Sequence, residues 1–110
     1  MGWDIWLKIN TGKKKYYTVE ALGGCTYNVS DMFQLAGIER LSNFDGQNCS
    51  NPEILAKLKF AINDMKKYPE KSKPLNPDNG WGSYESALLY LKKLYRGCLR
   101  HPNAIISICY

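Results

Sequence analysis

His101 is the sole histidine in this 110-residue chain, and no nucleophile stands beside it in sequence. No two carboxylates sit at a catalytic spacing. General acid–base and nucleophilic chemistry therefore have few candidates, and a small hydrolase or transferase ranks last among the readings. The four cysteines, Cys25, Cys49, Cys98 and Cys109, include no CxxC pair and no zinc-like spacing, so neither a metal nor a dithiol motif follows. No apolar run is long enough to span a bilayer, which argues against a membrane partner. There are no internal repeats, and no block of like charge has the length of a disordered nucleic-acid arm. The glycine spacing fits neither the Walker loop nor the dinucleotide fingerprint, so no cofactor is expected.

What remains describes an ordinary single domain. The chain is 45% apolar and 23% charged, long enough to bury one core without disulfides or metal. Eight tyrosines and three tryptophans enrich it in rings suited to cores and interfaces. The formal charge is +5, with cations in three segments: Lys13 to Lys15, Lys57 to Lys73 and Lys92 to Arg100. Each segment also reads as a solvated face, so a soluble basic surface competes with attraction to a polyanion. Residues 3–9 already read as a strand, which leaves no signal peptide and predicts a cytoplasmic protein with reduced thiols. The two glycosylation-like matches, at Asn28 and Asn48, are then coincidental.

Trp3, Ile5, Leu7 and Ile9 alternate with Asp4, Trp6 and Lys8, the pattern of a half-buried strand. A turn at Asn10 to Lys13 leads to a second strand over residues 15–21, which Gly23-Gly24 is expected to end. Ser30 reads as the N-cap of a short helix, Asp31 to Ala36, ended by Gly37. Residues 38–50 read as a polar irregular loop. Ser50-Asn51-Pro52-Glu53 has the capping-box arrangement and opens a helix with the stripe Ile54, Leu55, Leu58, Ala61, Ile62 and Met65. Tyr68-Pro69 ends it, and residues 69–82 form a proline-rich loop. A third helix runs from Ser83 to about Arg100 on the stripe Ala87, Leu88, Leu91, Leu94, Tyr95 and Cys98. His101 serves its negative end. Residues 104–110 form a third strand. The fold class is α+β: a small, mainly antiparallel sheet, made of the N-terminal hairpin and the C-terminal strand, covered by about three helices. The expected core is Ile5, Leu7, Val19, Leu58, Ile62, Leu88, Leu91, Leu94, Ile106 and Ile108.

Two segments carry recognition chemistry. In residues 76–85, free N–H groups at a helix start lie beside Gly80 and Gly82, which let a ligand approach the backbone. Trp81 supplies a ring for stacking, and Asn76, Asn79 and Tyr84 supply polar contacts. Alternatively, Trp81 closes the core edge and the polar residues satisfy their own turns. In residues 25–33, Tyr27 and Asn28 sit at a strand exit before another helix start. Cys25 shares that position, where a thiolate is favoured, although a buried structural thiol is the commoner case. Trp6, Tyr16 and Thr18 lie beside Lys8 and Lys14, a mix that suits bases and phosphates. Equally, that face of the hairpin is the one the helices cover.

The stretch Asn76-Pro77-x-Asn79-Gly80-Trp81-Gly82-x-Tyr84-Glu85, followed by a leucine-rich helix and Cys98-x-x-His101-Pro102, resembles small uncharacterised proteins of bacteria and their phages. Tyr27-Asn28-Val29-Ser30-x-Met32 resembles a second block of that group. The resemblance implies a phage-type accessory or inhibitor protein that binds a host protein, a nucleic acid or a signalling nucleotide. Three readings follow. The first is a non-enzymatic binding module joining Tyr27 and Asn28 to Asn76, Asn79, Trp81 and Tyr84, with a host protein or a small anionic ligand such as a nucleotide as partner. The second is a basic nucleic-acid-binding protein, and the third a small enzyme. If the thiols are reduced, a thiol titration of the denatured protein without reductant should find about four free thiols, one per cysteine. About two would contradict it.

Overall fold

The computed structural model of the chain describes residues 2–13, 15–75 and 83–110. Strand β1 (Gly2–Gly12) follows from the alternation of its residues: Trp3, Ile5 and Leu7 are buried, and the residues between them are not. It pairs antiparallel with β2 (Lys15–Thr26) on one side and with β3 (Ile105–Cys109) on the other, giving the order β2-β1-β3. Ile5 lies opposite Gly23 and Ile108, and Leu7 opposite Glu20 and Ile106. Gly23-Gly24 does not end β2, contrary to expectation. Gly23 adopts a φ of 78°, and the β1–β2 register shifts beside it, so the glycine absorbs a bulge and the strand continues to Thr26.

Helix α1 (Ser30–Leu35) follows a 3-10 turn over Tyr27–Val29. Ser30 is not its cap. It is the first helical residue, and its hydroxyl donates to the Tyr27 carbonyl at 2.5 Å. Thr26 does the capping one turn earlier, accepting from the Asn28 N–H at 3.3 Å. In helix α2 (Pro52–Lys67) the cap is likewise Asn51 rather than Ser50, accepting from the Glu53 N–H at 3.0 Å. Pro52 occupies the first turn, where its missing N–H costs nothing. The proline-rich stretch contains a short helix α3 (Pro69–Ser72) and a 3-10 turn to Leu75. Helix α4 (Tyr84–Arg100) opens as expected at Ser83, which forms a capping box with Ser86. None of the described helices is long and apolar enough to cross a membrane.

Residues 38–50 are more structured than their polarity suggests. Ile38, Leu41, Phe44 and Cys49 are buried, and Leu41–Phe44 forms a 3-10 turn. The segment then covers the outer edge of β3. Gly46 N–H donates to the Ile106 carbonyl at 2.7 Å, Ile106 N–H to Gln47 at 2.8 Å, and Ile108 N–H to Asp45 Oδ1 at 2.8 Å. Backbone groups that would otherwise stand unpaired on an edge strand are thereby satisfied.

The helices cover the Trp3–Ile5–Leu7 face of the sheet. Gly97 eases this packing: a Cβ there would lie 2.9 Å from Leu7 Cδ1, so the missing side chain leaves room for the Leu7 tip beneath α4. Tyr90 ties the helix to the sheet by donating to the Gly23 carbonyl at 2.7 Å. Of the ten expected core residues, eight are buried; Val19 and Leu88 are only partly so. Val19 is the extra residue where the β1–β2 register shifts between Leu7–Glu20 and Lys8–Thr18, so it stands outside the regular pairing. Leu88 lies on the flank of the α4 stripe. Leu91 is fully enclosed. Leu91→Ala is therefore expected to cost roughly 2–5 kcal/mol in a denaturant titration. A loss below about 1 kcal/mol would contradict its enclosure.

Candidate functional site

Helices α2 and α4 run antiparallel, because the Tyr84 hydroxyl at the start of α4 donates to the Met65 carbonyl near the end of α2, at 2.5 Å. Their apolar stripes face inward, and the residues flanking those stripes meet along an outer seam. Lys59, Asn63 and Lys66 recur at i, i+4 and i+7 on α2, which places them on one line along the helix. Lys92, Tyr95, Arg96 and Leu99 do the same on α4. Together with Ile62 they line a groove of about 340 Å³. That volume falls in the ~300–1,000 Å³ range of small-molecule sites.

The electrostatics of this groove are one-sided. The ion pairs among the described residues are Lys57–Glu53, Lys71–Asp64, Arg100–Glu20 and His101–Glu20. None involves Lys59, Lys66, Lys92 or Arg96, and no carboxylate lines the groove. Lys92 and Arg96 are like charges one turn apart, an arrangement that costs a few tenths of a kcal/mol on a helix. The floor is apolar, from Ile62, Tyr95 and Leu99. A ligand with a flat or apolar body and one or more negative groups matches both features.

The residues expected to bind are placed differently. Asn76, Asn79 and Trp81 lie outside the described residues. Tyr27 is half-buried, its ring edge-on to Trp3 at 4.7 Å between centroids, and Asn28 is exposed on the same 3-10 turn. Tyr84 is buried, with its hydroxyl engaged on Met65 and burial raising its ionisation above the usual phenol value. It acts as a tie between two helices. A cleft near the 25–33 segment, lined by Trp3, Ser30, Phe33 and Arg40 among others, encloses only about 140 Å³. The α2–α4 groove did not emerge from the linear sequence as a site. Its signal was lysines at turn spacing flanking two apolar stripes, and this looks the same as a solvated face until the two helices are paired.

Burial pushes the Cys25 thiol up to about 12, so it stays protonated despite its place before a helix start. Cys49 and Cys98 are both buried in the core, where interaction with the Cys49 side chain together with burial raises the Cys98 thiol. His101 Nε2 lies 3.1 Å from Glu20 Oε1, a pairing that could suggest a dyad. Arg100 occupies the same carboxylate, its Nε donating to Oε1 at 3.2 Å and its Nη2 to Oε2. Both oxygens of Glu20 are thus engaged, and the cluster fastens the end of α4 to β2. Among the described residues no group of three or more His, Cys, Asp or Glu could hold a metal. No protein family, curated protein or solved structure matches the chain.

The Glu20 cluster has a pH signature. The hydrogen bond from Arg100 chiefly holds the Glu20 carboxyl below its ordinary 4.5. A depressed carboxyl stabilises the fold above the unfolded value and loses that stabilisation as pH falls through the folded value. Thermal melts of wild type and Glu20→Gln should therefore differ most above pH 4.5 and converge as the solution is acidified below it. A gap that widens on acidification would refute the assignment.

Proposed function

We propose that this chain is a non-enzymatic binding module that takes a small anionic ligand of the nucleotide type in the groove between α2 and α4. The observation that carries the reading is the set Lys59, Lys66, Lys92 and Arg96, four cations without a carboxylate partner among the described residues, around an apolar floor. An anion bound there relieves their mutual repulsion, and Tyr95 offers a ring against which a planar group rests. Arg96 adds a planar donor fork suited to phosphate oxygens. A phage-type accessory role, in which such a module sequesters a ligand or engages a host protein, agrees with the resemblance of the C-terminal motif. The absence of an activated nucleophile among the described residues favours binding over turnover.

Thermal-shift and calorimetric titrations with a nucleoside triphosphate, and with inorganic phosphate for comparison, test the reading at low salt. The melting temperature should rise with nucleotide, since a ligand at 100 times its Kd adds about 2.7 kcal/mol to stability. Lys92→Gln/Arg96→Gln should abolish the rise while leaving the unliganded protein as stable as wild type or slightly more so, because a like-charge pair is removed. An unchanged response in that variant, or no response to any anion in wild type, would overturn the proposal.

A further inference from the structure

The side of the sheet away from the helices has a composition of its own. Because Trp3, Ile5 and Leu7 face the helices, Trp6, Lys8 and Asn10 of β1 face the other way. The register sets Asn10 opposite Tyr16 and Lys8 opposite Thr18, which places Tyr16 and Thr18 on this same side. Tyr16 is 52% exposed. Lys8 Nζ stands 5.7 Å from the Trp6 ring centre. Beyond Lys8, where β3 pairing ends, β1 and β2 continue as a two-stranded ribbon whose tip carries the exposed Lys13 and Lys15. Between Asp4 and Glu20 the sequence contains no acid. Glu20 points toward α4, where Arg100 pairs with it and His101 Nε2 lies 3.1 Å from its Oε1. Asp4 lies at the opposite end of the sheet from the ribbon.

We infer that this open sheet face, with its ribbon, binds single-stranded nucleic acid, the bases stacking on Trp6 and Tyr16 and the phosphates following Lys8, Lys13 and Lys15. Four residues of β1 separate the register positions of the two rings, about 13 Å at ~3.3 Å per residue. Two rings at that separation engage two different bases of one strand. Stacking is indifferent to base identity, because every base has a π-face, so the surface suits a strand of loose sequence preference. A duplex hides its bases within the stack and meets this face only through its phosphates. The site is separate from the α2–α4 groove and does not depend on it.

The test is a fluorescence-anisotropy titration of the full chain with labelled oligothymidylate, oligouridylate and a DNA duplex. The single strands should bind more tightly than the duplex, and the deoxy and ribo arms show which sugar is preferred. The slope of log K against log salt should be about −2 for three phosphate contacts. Trp6→Ala and Tyr16→Ala should each weaken single-strand binding about tenfold or more, with Trp6→Phe retaining most of it. Tyr16→Ala serves as the second probe should Trp6→Ala disturb the sheet, since Tyr16 is exposed. Lys92→Gln/Arg96→Gln should leave this binding unchanged, which separates the outcome from that of the groove. The inference fails if the duplex binds more tightly, if Tyr16→Ala has no effect, or if the groove variant abolishes binding.

Discussion

The seating of α4 on the sheet, with Gly97 leaving room for the Leu7 side chain, governs the rest of the architecture. Leu7 is flanked by Glu20 on β2 and Ile106 on β3, so whatever covers it covers the middle of the sheet. With no side chain at residue 97, the helix settles near enough to enclose Leu91, Leu94 and Cys98 against that surface. Polar ties hold both ends of the contact: Tyr90 on the Gly23 carbonyl, and Arg100 with His101 on Glu20. Seating α4 in this way has two outward consequences. It turns Lys92 and Arg96 away from the sheet toward α2, and it leaves the Trp6–Lys8 side of the sheet without a covering helix among the described residues.

The distribution of charge matters more than the net value of +5. Glu20, Glu53 and Asp64 are each paired with a neighbouring cation, and such exposed pairs contribute little to stability. They do neutralise the surroundings, and so the unpaired cations stand out. Among the described residues, Lys59, Lys66, Lys92 and Arg96 line the helix seam, and Lys13 and Lys15 stand at the hairpin tip. At the seam the apolar floor lies beside the charge, which strengthens attraction to an incoming anion. Salt weakens such attraction, so ionic strength belongs in any comparison of binding.

Several side chains that could do covalent chemistry sit within the fold. The Cys25 thiol is held protonated by burial, and the Cys98 thiol by the neighbouring Cys49 together with burial. His101 shares with Arg100 the task of fastening the end of a helix. Tyr84, which reads in sequence as a polar contact for a ligand, joins α4 to α2 instead.

Local sequence patterns determined much of the fold. The two-residue period of Trp3, Ile5 and Leu7, the stripes of α2 and α4, the Ser83 cap and the apolar C-terminal strand each express a local physical preference, and each appears in place. Capping was legible at α4 and to within one residue at α2, where Asn51 takes the role Ser50 could equally have filled; at α1 the capping side chain is Thr26, four residues before Ser30, because a 3-10 turn precedes the helix. The cover over β3 was not legible, since the buried Ile38, Leu41 and Phe44 recur every three residues, a spacing that fits neither an α-helical stripe nor strand alternation, with polar residues between them. Alternation also could not say which side of the hairpin is covered; both sides carry rings, and only the docking of α4 at Gly97 leaves Trp6 and Tyr16 on the open side. The groove likewise exists only once α2 and α4 lie side by side, because lysines remote in the chain make a site only when packing brings their like charges together.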